Sequence, residues 1–196
     1  MKNIDRLDIK NIKLNDEMQW ITVELNQQEM QKGIDLGELQ ESESKRLGLK
    51  DRSFSGDAAD SLRRSILAKQ FEIAICKWGG GTARIVGINE FHDYPDVGQV
   101  NARFTSNPGY GLMLTVKDQN NVPIILGTGG ENGAFKLIGW AIPSFVKQTI
   151  FKIHQGRSDG CEVQYGFLNQ MKGHEACHLN NQFLLPMRFF NKELIK

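Results

Sequence analysis

The sequence predicts an α+β or mixed α/β fold, in which a helix is followed by a mostly antiparallel sheet and by a flanking helix. The first observation behind this prediction is an apolar stripe with helical spacing between residues 61 and 78. The second is a change of the apolar spacing to two from residue 82 onward, which is typical of strands. The third is Pro143 in the segment AIPSFVKQTIFKI, because proline is favoured in the first turn of a helix.

Length and composition indicate a globular protein and argue against a membrane or secreted one. A chain of 196 residues with 40% hydrophobic and 24% charged residues fits one domain with a sizeable core. The first residues lack the apolar run of a signal peptide, and no stretch is long enough to span a bilayer, so no membrane partner is expected. Three scattered cysteines are too few for a disulfide framework, which indicates a reducing, cytoplasmic location.

The charge distribution bears on possible partners. The formal net charge is +1, which does not favour a dedicated nucleic-acid binder. Residues 134–196, however, carry eight lysines and arginines against four acidic residues. This basic final third is able to face phosphates, although such a gradient also arises when one part of a surface pairs with another.

The chain is predicted to be a single domain over residues 1–196, with three parts. Residues 1–50 supply an N-terminal strand and a polar helix, residues 60–150 supply the core, and residues 151–196 form a C-terminal extension. The strand is MQWITVEL. The segment after it, NQQEMQKGIDLGELQESESKRLGL, is polar enough to be a solvated helix, either continuous or broken.

The predicted core begins with a helix whose expected N-cap is Asp60 or Ser61 and which ends at Trp78, before three glycines. Five strands are expected next, with the sequences TARIVGINEF, QVNARFT, GLMLTV, PIILGT and AFKLIGW. Between the third and the fourth, KDQNNV suits a hairpin turn. In the extension, QFLLPMRFF is expected to be a last strand or a buried return.

The strand QVNARFT has one wholly polar face. Its alternate positions are Gln99, Asn101, Arg103 and Thr105, and the residues between them are apolar. Successive side chains of a strand point to opposite sides, so the apolar face is expected to pack on a core. A half-exposed antiparallel strand explains this pattern without any functional site.

Glu72 occupies an unusual position on the preceding helix. Its neighbours three and four residues along, Ile75 and Cys76, are apolar. Because burying an unpaired carboxylate is very costly, Glu72 must stay at the rim, pair with a cation or bind a metal. Arg103 and Arg84 are the expected partners if it forms an ion pair.

Asp96 follows a proline at the turn before QVNARFT and supplies a second carboxylate. A helix carboxylate, a turn aspartate and a polar strand face can converge on one Mg²⁺, which prefers oxygen ligands and takes one or two protein carboxylates with waters and phosphate oxygens. Arg103, on the same strand face, is then able to hold a phosphate or a developing negative charge. Gln99 and Lys147 are further candidates for contact with a phosphate.

Taken in order, FEIAICKW, YPDVGQVNARFT, GLMLTV, PIILGT and FKLIGWAIPSFVK resemble the PD-(D/E)XK nuclease-like superfamily. More narrowly, they resemble uncharacterised phage-encoded members with a PDVG…xR core and a following GW strand-to-helix element. The resemblance covers about residues 45–147. It implies a restriction-endonuclease-like fold and a DNA nuclease that depends on Mg²⁺ or Mn²⁺, located in the host cytoplasm if the chain is phage-encoded.

By position, the resemblance assigns Glu72 to the helix carboxylate of the family and Asp96 to its metal-binding aspartate. Asn101 and Arg103 fall where the family has an acidic residue and a lysine. Both are departures, since asparagine offers a metal a carbonyl oxygen without charge, and arginine stays protonated and cannot act as a base. A relative that binds nucleic acid or a host protein without catalysis is therefore the alternative expectation.

The segment HEACH, residues 174–178, fits the HExxH pattern of zinc proteases and gives a second alternative, a zinc hydrolase. His174 and His178 would be the ligands and Glu175 the base, and the pattern requires a helix so that both histidines share one face. The flanking glycine and asparagines do not favour a helix there. A zinc-binding set of unfamiliar spacing is also conceivable: Cys161, His174, Cys177 and His178.

Overall fold

A pair of helices, a mixed sheet and an antiparallel sheet form three successive layers in the computed structural model. The structure describes residues 19–48, 58–81, 94–115, 118–148, 150–154, 163–167 and 176–196. Within these ranges the helices are α1 (Gln27–Arg46), α2 (Ala58–Gly79) and α3 (Pro143–Gln148). The strands are β1 (Ile21–Glu24), β2 (Asn101–Phe104), β3 (Leu112–Thr115), β4 (Ile124–Gly129), β5 (Ala134–Ala141), β6 (Ile150–His154), β7 (Val163–Phe167) and β8 (Ala176–Leu179).

The strands form two sheets. The first has the order β1-β5-β4-β2, in which β2 runs parallel to β4 and the other pairings are antiparallel. The second has the order β3-β8-β6-β7 and is antiparallel throughout. The predicted mixture of helices with a mostly antiparallel sheet is therefore confirmed.

Strand β4 lies at the centre of the fold, covered on both faces. Ile125 belongs to the core that contains Phe71 of α2, whereas Ile124 and Leu126 belong to a second core shared with the other sheet. Burial on both faces explains why this strand is a continuous apolar run rather than an alternating one. The helices and the second sheet thus cover opposite sides of the first sheet.

The predicted hairpin between β3 and β4 is wrong. Strand β3 pairs with β8, while β4 pairs with β2 and β5, so the two strands lie in different sheets. They meet through their side chains instead, because Leu112 and Leu114 share the second core with Ile124 and Leu126. The chain between them crosses from one layer to the next.

Helix α1 is continuous rather than broken, and it packs closely on α2. Asn26 and Glu29 form a capping box, each side chain accepting a hydrogen bond from the other's backbone N–H. Gly33 and Gly37 are its buried residues, and a Cβ at Gly37 would lie 2.6 Å from the Cα of Ile66. The missing side chains let the two helix backbones approach, which a prediction based on polarity alone does not capture.

Several element boundaries differ from the predicted ones. Helix α2 begins at Ala58, before the expected caps, and ends at Gly79, one residue after the predicted Trp78. Helix α3 begins at Pro143 as predicted but ends at Gln148, because the apolar residues that follow pair as β6 with β7 and β8. The segment TARIVGINEF lies outside the described residues.

The C-terminal residues form a buried return, one of the two predicted alternatives. Leu185 makes an isolated bridge to Trp140 of β5, and short 3-10 turns follow at Met187–Phe189 and Lys192–Ile195. Leu184 and Met187 are buried in the two cores. Among the described residues, none of the helices combines the length and the apolar character needed to cross a bilayer.

Candidate functional site

Glu72 of α2 is buried beside a lysine of the same helix. Its side chain is 8% exposed, and that of Lys69 is 10% exposed. The Lys69 Nζ donates to both carboxylate oxygens of Glu72 at 2.9 Å. The sequence correctly indicates a carboxylate in need of a partner, but the expected partner Arg103 is wrong, and Arg84 lies outside the described residues.

The protonation of Glu72 reflects this environment. Burial raises the pKa of the Glu72 carboxyl to about 8, against the attraction of the Lys69 ammonium, which lowers it. The negative charge of Asp96 raises the pKa further, so the two carboxylates interact through space. Two mutually repelling carboxylates at a partly buried site are a common feature of functional sites.

Asp96 is fixed by the strand that follows it. Its Oδ2 accepts a hydrogen bond from the Ala102 N–H at 2.8 Å, and its own N–H donates to the Asn101 Oδ1 at 3.3 Å. Between them, Val97 and Val100 bridge each other across a tight turn in which Gly98 has φ +58°. The side chain of Asp96 is half-buried against the start of β2, so its position is set by backbone geometry.

Arg103 lies between two carboxylates. Its Nη1 is 3.9 Å from the Asp96 Oδ2, and its Nη2 is 2.8 Å from the Asp118 Oδ1. Asp118 also accepts hydrogen bonds at Oδ2 from the Thr115 N–H and hydroxyl, at 2.6 and 3.2 Å. The guanidinium is thus held beside Asp96 while about two fifths of the side chain stays exposed (39%).

Asp118 is a residue that the sequence prediction misses. It follows β3 in a polar connection interpreted as a hairpin turn, so nothing marks it as different from its neighbours. The available signal is its spacing from Thr115, because an aspartate three residues from a strand end is able to close a local turn with its side chain.

The C-terminal segment packs against the turn that follows Asp96. Leu194 O accepts a hydrogen bond from the Gln99 N–H at 2.7 Å. A Cβ at Gly98 would come within 2.8 Å of the same oxygen, and a Cβ on Gly79 would collide with the buried Ile195 side chain. Both glycines therefore allow this segment to fit between the end of α2 and the turn.

The other predicted site residues lie on three different parts of the fold. Gln99 is exposed but lies in the turn, outside β2, so it does not share the strand face as expected. Lys147 is on α3 as predicted, and its side chain lies outside the described residues. Asn101 is on β2, where its side chain contacts the backbone of Asp96.

The helix that the HExxH pattern requires is not present at Ala176–Leu179, because these residues form β8. In the register of that strand, His178 lies opposite Met113 and Cys177 opposite Leu114. His174, Glu175 and Cys161 lie outside the described residues. An extended chain at 176–178 contradicts the shared helical face on which the zinc-protease interpretation depends.

Within the described ranges, no group of three or more histidine, cysteine, aspartate and glutamate side chains comes together as a metal site. The Glu72 and Asp96 carboxylates interact electrostatically, and the Asn101 amide oxygen accepts a hydrogen bond from the Asp96 N–H. Comparison with family models, with curated proteins and with solved structures found no match to this chain. The resemblance to the PD-(D/E)XK superfamily therefore stays a prediction.

Proposed function

We propose that this protein is a Mg²⁺- or Mn²⁺-dependent phosphodiesterase that acts on nucleic acid, with DNA as the expected substrate and a restriction-endonuclease-like core. The observation that carries the proposal is the buried Glu72 carboxylate, whose pKa responds to Asp96. A carboxylate kept in an apolar environment next to a second one costs stability, and cation binding is a function that compensates for that cost.

The donor set fits a hard divalent ion by type, because two carboxylates and an amide carbonyl are all oxygen ligands. Glu72 and Asp96 would hold the ion, and Asn101 would add a neutral oxygen. When bound, the ion would polarise a scissile phosphate and lower the pKa of a bound water. Lys69 competes with it, since its ammonium already contacts both Glu72 oxygens.

Arg103 and Lys69 have complementary parts in this proposal. Arg103 is held by Asp118 with its guanidinium beside Asp96, where its fork of donors would bind a phosphate. A guanidinium does not act as a base, so Arg103 would serve only as a fixed positive charge. Lys69 would be released from Glu72 when a metal takes the carboxylate oxygens, and its ammonium would then supply a second positive charge.

A cleavage assay tests the proposal. Circular and linear DNA are incubated with the purified protein in Mg²⁺, in Mn²⁺ and in EDTA. Asp96→Asn keeps an oxygen that can accept from the Ala102 N–H but removes the charge, so the fold should persist. We expect metal-dependent cleavage to fall by at least about 100-fold, because several kcal/mol of metal-derived transition-state stabilisation are lost.

Asp35→Asn is the matched control, since Asp35 is an exposed aspartate on α1. It should cleave like the wild-type protein. Equal cleavage by Asp96→Asn and Asp35→Asn would remove the proposed site.

A second candidate function is binding of nucleic acid or a host protein without catalysis, as in a phage accessory factor. Two observations favour it: Asn101 adds no charge at the strand position, and the Glu72 carboxylate already has Lys69 as a cationic partner. In the same experiments, salt-sensitive DNA binding that EDTA does not affect, with no cleavage in either metal, would support this function. Both candidate functions are proposed to operate in the cytoplasm, or in the host cytoplasm for a phage protein.

A further inference from the structure

Two cations of the C-terminal turns each lie over an aromatic ring, one over Phe189 of the same turn and one over Trp78 of α2. The guanidinium of Arg188 lies 4.8 Å from the ring centre of Phe189, and the Lys192 Nζ lies 4.4 Å from the ring centre of Trp78. Lys192 also donates to the Trp78 carbonyl oxygen at 3.1 Å. These four residues are called the Phe189 edge: Trp78, Arg188, Phe189 and Lys192.

Buried residues on either side of Phe189 hold its side chain at the surface. Met187, two residues earlier in the same 3-10 turn, is buried, and so is Phe190, the next residue. The Phe190 ring lies 5.3 Å from Trp140 and 5.9 Å from Trp78, measured between ring centres. Because Met187 and Phe190 are anchored in the core, the backbone between them is held and Phe189 is left 64% exposed.

The Phe189 edge is connected to the proposed metal site by a short stretch of chain and one hydrogen bond. Lys192 begins the 3-10 turn that ends with Ile195, and Leu194 of that turn accepts from the Gln99 N–H. Gln99 is three residues from Asp96 and belongs to the same turn. One 3-10 turn and one hydrogen bond therefore join the Phe189 edge to the Asp96 turn.

We propose that the Phe189 edge binds a single-stranded segment of nucleic acid, with one unpaired base stacked on Phe189 and flanking phosphates on Arg188 and Lys192. This inference rests on the proposed function, because it names the form of nucleic acid that the same site receives. Aromatic rings stack on any exposed base and are worth about 1–3 kcal/mol per base by alanine substitution, whereas bases inside a duplex are already stacked.

Charge complementarity supports a phosphate-bearing occupant. The last third of the chain has eight basic and four acidic residues, and the edge itself contains two cations. The nearest acidic residue in the sequence, Glu193, is paired with Lys196 at 2.7 Å. An acidic peptide would also be attracted, but it offers no planar base to stack on the exposed ring.

Binding is measured by fluorescence anisotropy with a labelled 20-nucleotide thymidine oligomer, in EDTA so that no cleavage occurs. Wild-type protein should bind the oligomer more tightly than a 20-base-pair duplex. Phe189→Ala should weaken binding of the oligomer by at least about fivefold, and Phe189→Tyr should restore it. Arg188→Ala should reduce the slope of log affinity against log salt by about 0.7, the value for one phosphate contact on a single strand.

Phe145→Ala is the matched control, because Phe145 on α3 is a phenylalanine that is 72% exposed. It should bind like the wild-type protein. Equal affinities of Phe189→Ala and Phe145→Ala, or tighter binding of the duplex than of the oligomer, would overturn the proposal. Since this assay contains no divalent metal, it can succeed when the cleavage assay fails, and the reverse also holds.

Discussion

Replacing Glu72 by glutamine should make the protein less sensitive to pH between about 4.5 and 8. The pKa of Glu72 is raised from 4.5 to about 8 in the folded protein, so the folded state binds a proton that the unfolded state has lost in this range. Stability from this group is fully present below pH 4.5 and is lost as pH rises toward 8. As the pH rises from about 4.5 to 8, the wild-type free energy of unfolding should therefore fall relative to that of Glu72→Gln, by on the order of 1 kcal/mol per pH unit.

Both proteins are unfolded in urea at several pH values. The quantity compared is the slope, against pH, of the difference between their free energies of unfolding. Glu38→Gln, at an exposed position of α1, is the control and should give a curve parallel to the wild-type one. Parallel curves for Glu72→Gln as well would mean that Glu72 ionises as easily in the folded protein as in the unfolded chain.

Gly127→Ala is expected to cost about 3 kcal/mol or more of folding free energy. Gly127 lies on β4, immediately after the irregularity in its pairing with β5, and a Cβ there would collide with the ring of Phe71. Phe71 is fully buried, with the rings of Phe104 and Phe135 at 5.9 and 6.1 Å between centres. Because the ring has no room to move, overpacking falls at the upper end of the usual range.

A double-mutant cycle with Phe71→Leu checks the cause of this loss. If the collision with the ring is responsible, the double variant should be at least about 1 kcal/mol more stable than the sum of the two single effects predicts. Unfolding in urea, followed by circular dichroism, gives all four values. Additive effects would show that the glycine is needed for a reason other than the Phe71 ring.

The part of the fold that follows from local periodicity is predictable from the sequence. The apolar stripe of α2 and the alternation in β2 give the correct elements, because each depends on which side chains of one element face the core. Ala102 and Phe104 pack on the core as expected, and the intervening Arg103 does not. The start of α3 is predicted because Pro143 acts through its own backbone.

Pairings between distant elements are not predictable in this way. The sequence GLMLTV–KDQNNV–PIILGT is compatible with a hairpin, and only the apolar character of both strands suggests that they could face each other in separate sheets. The close packing of α1 on α2 depends on Gly33 and Gly37, where a side chain would collide with α2. This role cannot be predicted without knowing that α2 lies opposite them.

In the candidate site too, features set by local sequence are predicted and contacts between separate residues are not. Burial of Glu72 follows from its apolar neighbours, and the proline before Asp96 indicates a turn. The partner of Glu72 is missed because Lys69 reads as an ordinary surface lysine of an amphipathic helix, although a position three residues away is within reach. Asp118 is missed because its contact with Arg103 depends on the crossing of β3 into the other layer.

Binding of Mn²⁺ is the most direct test of the central claim that Glu72 and Asp96 hold one hard cation beside Arg103. The free ion is followed by electron paramagnetic resonance during a titration above pH 8, where Glu72 is ionised. One ion should bind per wild-type chain and per Asp35→Asn chain, while Asp96→Asn and Glu72→Gln should each weaken binding by at least about tenfold. Undiminished binding by both site variants, or none by the wild-type protein, would contradict the claim.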